Sequence, residues 1–123
     1  MGQCYNIYLK LKSRDENASV KALQEFVTEN NINTVGLSTD NLENLLKIVF
    51  GNSHGTLHLK HTQKNGFKRY ESDFNASYSW EGLLMDAFSE LASTLEDGSR
   101  IDIYPDYGRD TAVVRDSRAD WVN

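Results

Sequence analysis

The chain is nearly bare of the two residue types that staple or kink small proteins. It has one cysteine, Cys4, and one proline, Pro105, among 123 residues. A single cysteine excludes an intrachain disulfide framework and fits a reducing compartment. No apolar run approaches the roughly 18 residues that a bilayer-spanning helix needs. The opening stretch MGQCYNIYLKLK has neither the apolar block nor the small-residue cleavage site of a secretory signal. Its Met-Gly start departs from the N-myristoylation pattern at Asn6, where Ser or Thr is wanted. These absences lead us to expect a cytoplasmic protein. A Gly-rich phosphate loop, a G-x-S-x-G elbow and an H-E-x-x-H zinc motif are missing too.

Lysine is absent after Lys68, which leaves the charge lopsided. Residues 1–69 carry nine Lys/Arg and six Asp/Glu, whereas residues 70–123 carry four Arg and twelve Asp/Glu. An acidic half disfavours direct binding of nucleic acid, which needs clustered cations. It suits instead a protein partner with a basic surface.

What is present organises around residues 77–106, SYSWEGLLMDAFSELASTLEDGSRIDIYPD. Trp80, Leu84, Ala87, Phe88, Leu91 and Leu95 recur at three- and four-residue spacing, so they share one helical face. Ser79 is the expected N-cap and Gly98 the expected stop of a helix over 79–96. Ile101 and Ile103 follow as a strand that Pro105 ends.

Earlier in the chain, Tyr5, Ile7, Leu9 and Leu11 alternate with polar residues, the period of a half-buried strand. Asn17 or Ser19 is expected to cap a helix that turns Val20, Leu23, Phe26 and Val27 inward and stops at Asn30-Asn31. Residues 32–37 could form a brief strand. Asp40, with Glu43 three residues on, reads as the capping box of a second helix with Leu42, Leu45, Leu46 and Val49 inward and Gly51 at its end.

Asn65-Gly66 between two strand-like runs predicts a two-residue type I′ hairpin. In that register Leu57, Leu59 and His61 face Phe74, Ser72 and Tyr70. His58, Lys60 and Thr62 face Asp73, Glu71 and Arg69, so opposite charges meet. Two more strands follow, over 111–115 and 119–122, around a turn at Asp116-Ser117. The expected order is βα(β)αββαβββ in a single domain over residues 1–123. This is an α+β two-layer sandwich with a mostly antiparallel sheet and three helices.

The candidate chemistry is thin. His58 and His61 sit three apart in a strand and point to opposite faces, so they share an ion only across a bulge. His54 could share a face with His58, but Gly55 interrupts. The loop Asp106 to Asp110 lacks the ligand spacing of an EF-hand, and its carboxylates are expected to fix their own turn. Cys4 opens an apolar strand with no implied base. No catalytic residue, metal or cofactor is therefore assigned. Trp80 and Trp121 read as packing residues, and Tyr78, Tyr104 and Tyr107 as exposed aromatics beside acid.

The stretch from Phe74-Asn-Ala-Ser-Tyr-Ser-Trp-Glu-Gly to Leu95-Glu-Asp-Gly-Ser-Arg-Ile-Asp-Ile-Tyr-Pro-Asp resembles a tail seen in short bacterial proteins, some borne by phages and other mobile elements. The resemblance covers residues 74–123. It implies no established activity, so no functional residue carries over. By analogy of class, such acidic proteins include inhibitors of host defence, anti-CRISPR proteins among them.

The expected function is a non-enzymatic module that presents an acidic surface to a basic protein partner. Its contact residues are Glu81, Asp86, Glu90, Asp102, Tyr104, Asp106, Tyr107 and Asp110. The alternative is a small-ligand or metal-binding domain using His58, His61 and Asp73, or the 106–110 loop. A homodimer through the short last strand is the third expectation.

Overall fold

The computed structural model describes residues 2–53 and 55–122. Its order is β1 (Gly2–Leu11), α1 (Glu16–Glu29), α2 (Leu42–Phe50), β2 (His58–Thr62), β3 (Lys68–Ser77), α3 (Trp80–Ala92), β4 (Arg100–Tyr104), β5 (Asp110–Arg115) and β6 (Arg118–Val122). The α+β sandwich is as expected, save that residues 32–37 form no strand. Val35 and Gly36 both take positive φ there, which an extended strand cannot accommodate.

The sheet runs β2-β3-β1-β4-β5-β6, with every neighbouring pair antiparallel. β1 is the spine, because its alternation buries one complete face. Gln3, Tyr5, Ile7, Leu9 and Leu11 are buried, and all ten residues pair with β3. The first four strands, with helices between β1 and β2 and between β3 and β4, make the split β-α-β arrangement. The β5-β6 hairpin widens it.

All three helices cover the face that β1 buries. Leu23, Leu45, Leu46, Phe50, Leu84, Phe88 and Leu91 meet Tyr5, Ile7, Leu9, Ile101 and Ile103 in one core. Each large side chain buried there contributes about 2 kcal/mol before entropy is subtracted. Trp80 and Trp121 pack against this core as expected, Trp121 edge-on to Phe88 at 6.2 Å. Among the described residues no second layer covers the other sheet face.

The helix ends differ in detail from expectation. Asp15, not Asn17 or Ser19, caps α1, accepting from the N–H groups of Asn17 and Ala18. Ser19 is instead fully buried, with its hydroxyl between those of Ser13 and Thr94. Asn41, not Asp40, caps α2, accepting from Asn44 N–H at 2.8 Å. Ser79 precedes α3 but its hydroxyl meets Ser77, so it is no side-chain cap. Helix α3 ends at Ala92, short of Gly98, because Leu95 leaves the helix to bridge Ser13. Gly98 does take a positive φ, in the turn that enters β4.

The β2-β3 hairpin corrects the expected register. Gln63 N–H donates to Phe67 O, and Gly66 N–H to Gln63 O. Only Gly66 takes positive φ, so the loop has three residues with a glycine bulge, not two in type I′ form. A further irregularity between Leu59 and His61 sets His58 opposite Glu71 and Leu59 opposite Tyr70. The two-residue turn appears instead at Asp116-Ser117, where both residues have positive φ.

Candidate functional site

Opposite the helices, the even-numbered residues of β1 face solvent, and with them their lateral partners on the neighbouring strands. Following the pairing across the sheet, His61 stands opposite Arg69, Arg69 opposite Lys10, and Lys10 opposite Arg100. Three permanent cations and a histidine thus lie side by side on four adjacent strands. Paired side chains on one face sit about 5 Å apart, and like charges directly opposite are destabilising.

The neighbouring row, one step toward the start of β1, reads His58, Glu71, Tyr8, Asp102, Thr111. Tyr8 is 44% exposed, and the Tyr104 ring meets it edge-on at 5.6 Å. Beyond the cationic row, the Lys10 ammonium lies 5.0 Å from the centroid of the Phe67 ring. Tyr8, Lys10, Lys60, His61, Arg69 and Arg100 share a depression of about 620 Å³ in this face with the carboxylates of Glu71 and Asp102.

Only part of that charge is compensated. Arg100 grips Asp102 with Nε to Oδ2 at 2.8 Å and Nη2 to Oδ1 at 3.1 Å. Burial opposes ionisation of Asp102, but hydrogen bonds from Arg100 and from Thr111 outweigh it and hold its carboxyl below the ordinary range. Among the described residues, the other ion pair joins Arg115 and Asp120. Among the same described residues Lys10, Lys60 and Arg69 have none.

The expected acidic surface is divided over both sides of the molecule. Asp86 and Glu90 face outward from α3. Glu81, in the first turn of α3, meets Asp110 at the head of β5. The hydrogen bond between their carboxyls, then burial, then mutual repulsion push Glu81 up to about 7. Among the described residues no N–H or O–H donor reaches the buried Asp110 Oδ2, which leaves it open to a proton carried by Glu81.

Asp106 does not fix its own turn. Its carboxylate accepts the N–H of Cys4, while its own N–H donates to Gln3, tying the β4-β5 loop to β1. Tyr107, at that loop's tip, is 92% exposed. Asp102 and Tyr104 lie on the bare sheet face, turned away from α3. The structure therefore brings Glu81 and Asp110 together, and Asp102 and Tyr104 together, but does not join the eight residues into one surface.

The histidines also need correction. The irregularity after Leu59 sets His58 and His61 against Glu71 and Arg69, so both project from the bare face. Asp73 belongs to the same face two residues from Glu71. Among the described residues, no three His, Cys, Asp or Glu side chains converge in a metal-binding group. His54 lies outside the described residues. Cys4 is exposed on the same face.

Reading along the chain missed the cationic row. Its members come from strands that meet only through the β2-β3-β1-β4 order, and β1 supplies just one of them. The one local signal was Lys10 at a polar position of the first strand. Among the described residues no helix is long and apolar enough to cross a membrane. No protein-family model, curated protein or solved structure matches the chain.

Proposed function

We propose that this protein is a non-enzymatic binding module whose working surface is the uncovered sheet face, and that the face receives a polyanion. The row His61, Arg69, Lys10, Arg100 carries this reading. A solvated sheet face gains nothing in folding from holding like charges in lateral register. A chain of negative groups laid across the strands turns that repulsion into attraction. The net charge of −5 sums the whole chain, whereas this row itself holds no carboxylate.

Retention on immobilised heparin at low salt tests the reading. Wild type should bind and elute as salt rises. Arg69→Glu and Lys10→Glu should pass through, while Asp86→Asn on the opposite side elutes as wild type does. Wild type in the flow-through at low salt refutes the reading.

A second reading rests on the outward carboxylates of α3. Asp86 and Glu90 have no ion pair among the described residues, and they suit a basic protein surface. The protein would then act as an inhibitor of a nucleic-acid-binding host protein, of the anti-CRISPR kind. Salt-sensitive binding to immobilised polylysine, lost in Asp86→Lys/Glu90→Lys, is its expected signature. Binding that survives the double substitution removes it.

A further inference from the structure

We infer that the occupant of the bare sheet face is single-stranded nucleic acid, held with its phosphates on the cationic row and its bases over Tyr8. The inference rests on the polyanion reading of that face and narrows it to one ligand class. Three observations carry it. Lys10, Lys60 and Arg69 border one depression and have no ion pair among the described residues. Aromatic rings flank the row on both sides, with Phe67 under the Lys10 ammonium and the half-exposed Tyr8 one step along β1. Tyr104 braces Tyr8 edge-on, which fixes the ring that a base would stack upon.

A carboxylate sorts the ligand. Glu71 stands beside Tyr8 on the adjoining strand, with no ion pair among the described residues, whereas Asp102 on the other side is already held by Arg100 and Thr111. There Glu71 repels a phosphate but accepts a hydrogen from the amino group of a base edge. The two rows thus have different tastes: charge on one, ring faces and donors on the other. A sulfated or phosphorylated polymer without bases satisfies only the first. A duplex keeps its base faces stacked inside and cannot offer them to Tyr8, whereas a single strand can.

Fluorescence anisotropy with a labelled single-stranded oligonucleotide, its duplex, and heparin as competitor separates these cases. The single strand should bind more tightly than the duplex. Three cations at about 0.7 counterions each give a slope near −2 for log affinity against log salt, or roughly a 20-fold loss for a fourfold rise in salt. Tyr8→Ala should weaken oligonucleotide binding about tenfold or more while leaving heparin retention unchanged, and Tyr8→Phe should keep both. Heparin retention without oligonucleotide binding overturns the inference and leaves the polyanion reading intact. So does duplex binding equal to single-strand binding. Loss of neither ligand in Tyr8→Ala has the same consequence. Failure to bind heparin and oligonucleotide alike overturns both.

Discussion

Glu81→Gln should remove a pH dependence that the fold builds in where α3 meets β5. In the native state the Asp110 carboxyl beside Glu81 raises it from 4.5 to about 7. Moving a carboxyl's titration by one pH unit is worth about 1.4 kcal/mol. Glu81 is partly open to water, which screens the pair, so about 1 kcal/mol is the realistic share. The sign follows from proton counting. Across this window the native chain holds a proton that the unfolded chain releases, so stability falls as pH rises. The contribution is complete below about pH 4.5 and gone once pH passes 7. Asp102, whose carboxyl is held low, works the other way and loses its contribution only on stronger acidification. Urea denaturation across the window should show wild type losing about 1 kcal/mol from mildly acidic to mildly basic pH. Glu81→Gln, whose amide can donate to Asp110 at every pH, should stay flat and exceed wild type on the basic side. Wild-type stability that is flat or rising, or a variant with the wild-type slope, refutes the pairing.

Four substitutions test the scaffold. Asp15→Ala removes the side chain that caps α1 and should cost about 1 kcal/mol in urea denaturation, whereas Asn17→Ala should stay within about 0.5 kcal/mol. Gly51→Ala would drive a methyl to 2.8 Å from Lys47 O and 3.1 Å from Leu57 N, so a loss of about 1–3 kcal/mol is expected in the same assay. Leu91→Asp puts a carboxylate into a fully buried position of α3 and should abolish the folded circular dichroism spectrum; a soluble variant with the wild-type spectrum contradicts the assigned helix face.

Elements written in local periodicity were legible along the chain. Tyr5, Ile7, Leu9 and Leu11 announce β1 because a strand's faces alternate residue by residue. Leu84, Phe88 and Leu91 announce α3 because a helix turns every few residues. Turn geometry was less legible. Asn65-Gly66 has the residues of a type I′ turn, yet the Gln63 to Phe67 bond closes a longer loop, and Lys12 Nζ secures it by donating to Asn65 O. Asp116-Ser117, a weaker signal, makes the tight turn because the β5-β6 register leaves just two residues to close it.

The site was hidden for a different reason. Arg69, Lys10 and Arg100 become neighbours only once β1 is placed between β3 and β4, and nothing local to any one of them encodes that placement. Charge tallied by halves of the chain pools β3 with α3, although the sheet separates their outward groups. The Glu81–Asp110 pair joins a helix start to a strand start far along the chain, and each carboxylate alone reads as surface acid.

Amide chemical shifts recorded during a titration with a short heparin oligosaccharide test the central claim most directly. Changes should concentrate on Tyr8, Lys10, Lys60 and Arg69, with Asp86 and Glu90 unmoved. Changes centred on α3, or none at saturating ligand, would contradict the assignment of the bare sheet face as the working surface.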